Sequence, residues 1–128
     1  MGLSNSISVL VADDDKVTRE LLMSILKNEG YHLLGEAWNG TEAVKRYVEL
    51  RPDIVLLDTM MPKMDGLNPL VEIRKVNPAA VVLLVSASFT AEMIKDALQK
   101  GAAGFVVKPF RPADVLSKIS TGWKARKK

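Results

Sequence analysis

Residues 53–62 read DIVLLDTMMP: four branched aliphatic residues in a row, Ile54, Val55, Leu56 and Leu57, closed by Asp58 and a turn that ends in proline. A run this apolar, without polar alternation, is how a strand reads when both of its faces are covered, the situation of central strands in a parallel sheet. An ionisable carboxyl at the end of such a strand loses hydration unless something uses its charge. Three further runs repeat the arrangement. ISVLVA at 7–12 is followed by Asp13 and Asp14, VVLLV at 81–85 by Ser86, and FVV at 105–107 by Lys108. YHLLGEA at 31–37 is more mixed, with His32 and Glu36 included, and suits a sheet edge with His32 exposed.

Between these runs lie five segments with apolar residues at helical spacing. The stripes are Val17, Leu21, Leu22, Ile25 and Leu26; Ala43, Val44, Tyr47 and Val48; Leu67, Leu70 and Val71; Met93, Ile94, Ala97 and Leu98; and Val115, Leu116 and Ile119. Boundary signals agree with them. Asp15 caps the first helix and Gly30 ends it, Asn39-Gly40-Thr41 opens the second and Pro52 follows it, Asp65-Gly66 precedes the third and Pro78 closes it, and Thr90 caps the fourth. Strand and helix therefore alternate five times. Right-handed crossovers turn that alternation into one open parallel sheet with helices on both faces, the strands being too few for an eight-stranded barrel. Ligands of such sheets sit beyond the carboxyl ends of the strands. Asp13, Asp14, Asp58, Ser86 and Lys108 all fall there.

Composition narrows the chemistry. At 128 residues, with 48% hydrophobic and 26% charged side chains, the chain is expected to form one globular domain rather than a disordered segment. No apolar run approaches the ~20 residues of a membrane-spanning helix, and no charged-then-apolar leader precedes a small-residue cleavage site, so the cytoplasm is the expected compartment. The absence of cysteine excludes disulfides, thiolate metal sites and thiol catalysis, and a single histidine excludes a multi-histidine zinc site. The net charge of +3 is a property of the chain end: Lys124, Arg126, Lys127 and Lys128 leave 14 basic against 15 acidic residues elsewhere. The expected organisation is an N-terminal extension at 1–6, the domain at 7–122 and a basic tail at 123–128, and direct nucleic-acid binding by the domain is not expected. The first six residues also match a loose acylation pattern, MGLSNS, of the kind that arises often by chance.

Three carboxylates brought together repel one another and raise each other's proton affinity. A hard divalent cation removes the conflict, and oxygen-only ligands with open positions suit magnesium, with Mn2+ or Ca2+ as substitutes. A lysine ammonium and a serine hydroxyl beside it supply the charge and hydrogen bond that would hold the oxygens of a phosphoryl group. The set has the parts for phosphoryl transfer with a carboxylate as covalent acceptor.

Five segments carry a family resemblance: VLVADDD at 9–15, DIVLLDTMMP at 53–62, MDG at 64–66, VSA at 85–87 and GFVVKPF at 104–110. In order and spacing they resemble the receiver domain of two-component response regulators, and the length is close to that of stand-alone chemotaxis-type members. The resemblance implies a flavodoxin-like (βα)5 sandwich with strand order 2-1-3-4-5. It puts Asp58 at the phosphoacceptor position, which takes a phosphoryl group from a kinase phosphohistidine and later loses it to water. Asp13 and Asp14 match the acidic pair that holds Mg2+ together with Asp58 and the Met60 backbone carbonyl. Ser86 matches the hydroxyl that moves toward the phosphoryl group, Lys108 its cationic partner, and Phe105 the switch aromatic. A cis peptide is implied between Lys108 and Pro109.

The partners so implied are a sensor histidine kinase or phosphotransfer protein upstream, and downstream a target protein or a second copy of the chain. The docking surface would be the fourth helix, fifth strand and fifth helix, roughly 90–100 and 104–118. Neither a membrane nor nucleic acid is among the expected partners. A phenylalanine at 105 removes any phenolic hydrogen bond, so a switch there works by burial alone, and Met60 and Ser88 flank the route of an attacking water. Two other classes compete. An aspartyl phosphatase would carry its nucleophile after the first strand, whereas Asp58 follows the third. A phosphorylation-independent interaction module would ordinarily have lost the acceptor, an acid or the lysine, and all are present. A receiver portion of a longer transcriptional regulator is the further alternative.

Overall fold

The strict alternation of the sequence is what the chain builds: β1 (Ser8–Ala12), α1 (Lys16–Glu29), β2 (His32–Ala37), α2 (Gly40–Leu50), β3 (Ile54–Asp58), α3 (Asn68–Val76), β4 (Val81–Ser86), α4 (Ala91–Gln99), β5 (Gly104–Val107) and α5 (Pro112–Lys124). The computed structural model describes residues 7–61 and 67–126. The readings made for 1–6, for the turn and helix-start signals at 62–66 and for the last two lysines lie outside these residues.

All strand pairs are parallel and the order is β2-β1-β3-β4-β5, as the resemblance implied. The unbroken apolar runs now have their reason. Successive side chains of a strand point to opposite faces, and here both faces are core. Leu10, Val55, Leu57, Val82 and Leu84 enter one cluster with α2, α3 and α4, through Tyr47, Leu70, Ile73 and Ala97. Val9, Val11, Ile54, Leu56, Leu83 and Val85 enter the other with α1 and α5, through Leu22, Leu26, Val115 and Ile119. β2 lies at an edge with most residues half-exposed and His32 exposed.

The helix ends follow their side chains. Asp15, Asn39 and Thr90 accept hydrogen bonds from the N–H groups of Thr18, Glu42 and Met93 at the starts of α1, α2 and α4. Gly30 closes α1 in the left-handed region at φ 94°, its N–H reaching the carbonyls of Leu26 and Lys27. Such a φ is cheap only for a residue without Cβ. Several boundaries differ from the sequence reading by a residue or two. Asp58 is the last residue of β3 rather than the first after it, because the ladder to β4 extends to Asp58↔Val85, and Ser86 ends β4, paired with Val107. And α5 runs past the expected domain boundary at 122 to Lys124, with Trp123 packed against the α1/α5 core cluster. The basic residues there begin as a helix end anchored by an aromatic ring.

Candidate functional site

Parallel pairing places the carboxyl ends of β1, β3, β4 and β5 along one rim, and the charged residues read from the sequence meet there. Asp13, one residue beyond β1, is 1% exposed, and Asp58 is 2% exposed. One carboxylate oxygen from each of Asp13, Asp14 and Asp58 lies within 4.8 Å of the others, Asp14 being the exposed member. Lys108 Nζ, arriving from the end of β5, stands 3.0 Å from Asp13 Oδ2 and 3.4 Å from Asp58 Oδ2.

The two buried acids are held by backbone as well. The Met60 N–H donates to Asp58 Oδ1 at 3.0 Å, and the Asp15 N–H to Asp13 Oδ1 at 2.9 Å. Both are turns in which a side chain grips the amide two residues on, so the carboxylates are oriented before any ligand arrives. Asp13 Oδ2 is different: it is buried and its contact with Lys108 is an ion pair, with no directed hydrogen bond among the described residues.

The electrostatics follow from that crowding. Burial, then the charge of Asp13, push the Asp58 carboxyl up from 3.8 to about 6, against the opposing pull of the Met60 N–H and the Lys108 ammonium. Burial works against the charge of Lys108, but the Asp13 and Asp58 carboxylates outweigh it and hold the amine above its ordinary value. The donor set fits a metal ion: three side chains offering only oxygen, one of them carrying a buried acceptor without a directed donor, suit a hard cation.

The remaining sequence candidates border this centre. Ser86 is buried, and its Oγ donates to the Ser88 carbonyl at 3.0 Å, so the hydroxyl is engaged with its own loop. The Lys108 N–H donates to the Ser86 carbonyl at 2.8 Å, tying the two strand ends together. Phe105 is half-buried, its ring edge-on to Phe89 with centroids 5.1 Å apart. The Met60 residue is 74% exposed while its N–H serves Asp58. The Lys108–Pro109 peptide is cis.

Sequence reasoning missed two residues here. Arg19 of α1 donates through Nη1 to the Asp13 carbonyl at 2.8 Å and pairs through Nε with Glu36 of β2. Glu36 was readable only as a polar interruption of an edge strand. The rim also exposes apolar side chains, Val17, Leu21, Trp38 and Met60. A groove of about 360 Å3 lined by Thr18, Leu21, Ala87, Lys108, Pro109 and Phe110 adjoins the lysine. The larger hollow of about 710 Å3 between α3 and α4 touches the rim through Thr59 and holds none of the three clustered acids. The clustered acids and Lys108 therefore gather at the strand ends, outside that hollow.

Sheet order and acid cluster together define a flavodoxin-like α/β module built around an acidic centre at its carboxyl edge. The model of the response regulator receiver domain matches residues 9–120. The chain belongs to that family. It is 42% identical to the chemotaxis protein CheY of Thermotoga maritima over 112 residues, which is 88% of this chain and 93% of that one. It is also 42% identical to the CheY of Listeria monocytogenes, covering 88% and 95% of the two chains. Among solved structures, the CheY of Borrelia burgdorferi in a CheX-CheY-BeF3-Mg2+ complex superposes with a TM-score of 0.87 at 38% identity, covering 90% of this chain and 87% of that one. The chain is thus a CheY-like receiver domain, consistent with a switch of two-component signalling, a setting that implies a histidine kinase or phosphotransfer protein as partner. Among the described residues no helix is long and apolar enough to cross a membrane.

Proposed function

We propose that this receiver is a cytoplasmic switch set by phosphorylation of Asp58. The observation that carries the reading is Asp58 itself, a strand-end carboxylate gathered with Asp13 and Asp14 and faced by Lys108. A carboxyl that titrates near 6 is mostly ionised in neutral solution and so available as a nucleophile. In the transfer, an Asp58 oxygen attacks the phosphorus of a phosphohistidine, the N–P bond breaks as the O–P bond forms, and the imidazole leaves with the N–P electron pair. Attack of water on the acyl phosphate later returns the carboxylate and inorganic phosphate.

Asp13, Asp14 and Asp58, with the Met60 carbonyl, would hold Mg2+, which supplies positive charge to offset the clustered carboxylates and the phosphoryl oxygens. The related CheY with BeF3 and Mg2+ in its crystal structure supports this choice of ion. Lys108 then pairs with the phosphoryl oxygens, and Ser86 leaves the Ser88 carbonyl to donate to them. That rotation moves the loop carrying Phe89, and with it the edge contact on Phe105. The surface affected is α4-β5-α5, where Leu98 and Val107 are exposed, and it would receive a target protein or a second copy. The apolar rim beside Lys108 would seat the phosphoryl donor.

The test is incubation with Mg2+ and acetyl phosphate followed by intact-mass measurement. One phosphoryl adduct is expected, absent from Asp58→Asn. No adduct on the wild type, or one that survives the substitution, would sink the proposal.

A further inference from the structure

Asp13 is the most constrained residue of the centre, and its constraint comes from three elements. Its N–H donates to the Ala37 carbonyl of β2 at 3.0 Å, and its Oδ1 accepts from the Asp15 N–H. Its carbonyl lies past the last β1–β2 pair, Ala12↔Ala37, where no strand amide is left to meet it. Arg19 supplies the missing donor at 2.8 Å from one guanidinium nitrogen, while another is held by Glu36. The arginine side chain is only 13% exposed. A planar guanidinium with several fixed donors can serve the two acceptors at once, which a lysine ammonium on a flexible stem does less well.

The consequence is geometric. With N–H, carbonyl and Oδ1 all engaged, the Asp13 Oδ2 atom is left facing Lys108 Nζ at 3.0 Å, in the cluster that Asp13 forms with Asp14 and Asp58. We infer that Arg19 is a positioning residue for the metal centre: its bond to the Asp13 carbonyl aims the Asp13 carboxylate at the shared site, and Glu36 holds the guanidinium in place for that task. The inference rests on the reading of Asp13, Asp14 and Asp58 as the Mg2+ site. Removing such an outer contact typically weakens metal binding by about 10–100-fold, because the carboxylate must be re-ordered when the ion arrives.

The experiment titrates MgCl2 calorimetrically into the full chain at pH 7.5, for wild type, Arg19→Ala, Arg19→Lys and Glu36→Gln, with folding checked by circular dichroism. Arg19→Ala is expected to weaken magnesium binding about tenfold. Glu36→Gln, whose amide oxygen still accepts from the guanidinium, should stay within about threefold of wild type, since the bond it makes changes in strength and not in direction. At saturating magnesium, labelling of folded Arg19→Ala by acetyl phosphate should recover to near the wild-type rate, as expected when the defect lies in metal affinity and circular dichroism shows the fold intact before magnesium is added. Folded Arg19→Ala with wild-type magnesium affinity overturns the inference and leaves Arg19 a structural brace. Should Arg19→Ala not fold, Arg19→Lys decides: weakened binding supports the role, wild-type binding overturns it. Failure of the wild type to bind magnesium would instead refute the metal site itself.

Discussion

Replacing Asp58 with asparagine should make the metal-free protein more stable at neutral pH. The Asp58 carboxyl is raised from 3.8 to about 6, first by burial and then by Asp13. A carboxyl that holds its proton more tightly in the folded state than in the unfolded one stabilises the fold where both are protonated, and that advantage is lost as pH rises from 3.8 through 6. At ~1.4 kcal/mol per pH unit, the interval corresponds to about 3 kcal/mol as a ceiling. Solvent at the rim and sharing of charge with Asp13 and Lys108 reduce the expected gain to about 1–2 kcal/mol. Asparagine keeps an oxygen for the Met60 N–H, and Lys108 keeps Asp13 at 3.0 Å, so little is lost in exchange. For a domain of this size the gain is about 3–8 °C in Tm. Thermal unfolding in EDTA at pH 7.5 and pH 4.5 reads it. The variant should lead at pH 7.5, and the gap should shrink at pH 4.5, where Asp58 of the wild type carries its proton. An Asp58→Asn protein no more stable than wild type at pH 7.5 without divalent cations, or a gap independent of pH, would refute the reasoning.

Lys108→Ala removes the cation from between two buried carboxylates, and should destabilise the metal-free protein by about 1–2 kcal/mol at pH 7.5, less than a fully buried pair because the amine is partly exposed; urea unfolding with and without Mg2+ checks that added magnesium recovers most of the loss. Asn39→Ala deletes the cap at the start of α2 and should cost about 1 kcal/mol, while phosphate uptake from acetyl phosphate stays at the wild-type rate. Ser86→Ala should still accept phosphate on Asp58 by intact mass, yet lose the phosphorylation-dependent change in hydrogen exchange of 87–100, since the Ser88 carbonyl no longer has a hydroxyl to release.

How much could be read beforehand depends on whether burial and polarity conflict at a single residue. Asp13, Asp58 and Lys108 end runs that are almost wholly apolar, so each was visible as an exception, and the fold made the exceptions neighbours. The alternation of elements was visible for a related reason. Val55 and Leu56 serve opposite core clusters, which leaves no polar face to disguise the strand as a helix. The strand order came from the family resemblance, because equally apolar strands do not state which of them are neighbours. Arg19 and Glu36 were not visible: each is an ordinary surface residue type at its position, and only the crossing of α1 over β1 and β2 brings them together at the Asp13 carbonyl. Trp123 was hidden by its basic neighbours, which gave the segment the composition of a tail although the ring packs on the core. The direction of the Ser86 hydroxyl, set by the loop carbonyl at Ser88, has no counterpart in the sequence.

The same crowding that makes the metal-free centre unfavourable is what would let a small chemical change be felt elsewhere. Lys108 divides its charge between Asp13 and Asp58 at 3.0 and 3.4 Å, so neither acid is fully neutralised, and a group attached at Asp58 competes for the amine directly. The Lys108 amide is bonded to the Ser86 carbonyl at 2.8 Å, the Ser86 hydroxyl to the Ser88 carbonyl at 3.0 Å, and Phe89, the next residue, abuts Phe105 on β5. The contacts thus form a closed circuit from β5 through the β4 end and its loop back to β5, with exposed Leu98 and Val107 on the outer side. Contiguity alone does not establish coupling. The discriminating element is the Ser86 hydroxyl, which donates to the Ser88 carbonyl and, under the proposed function, would have to leave it to serve a phosphoryl group. If phosphorylation of Asp58 draws it away, the loop loses a hydrogen bond worth about 1 kcal/mol, a bias large enough to change the population of a loop conformation about fivefold and too small to force a new fold.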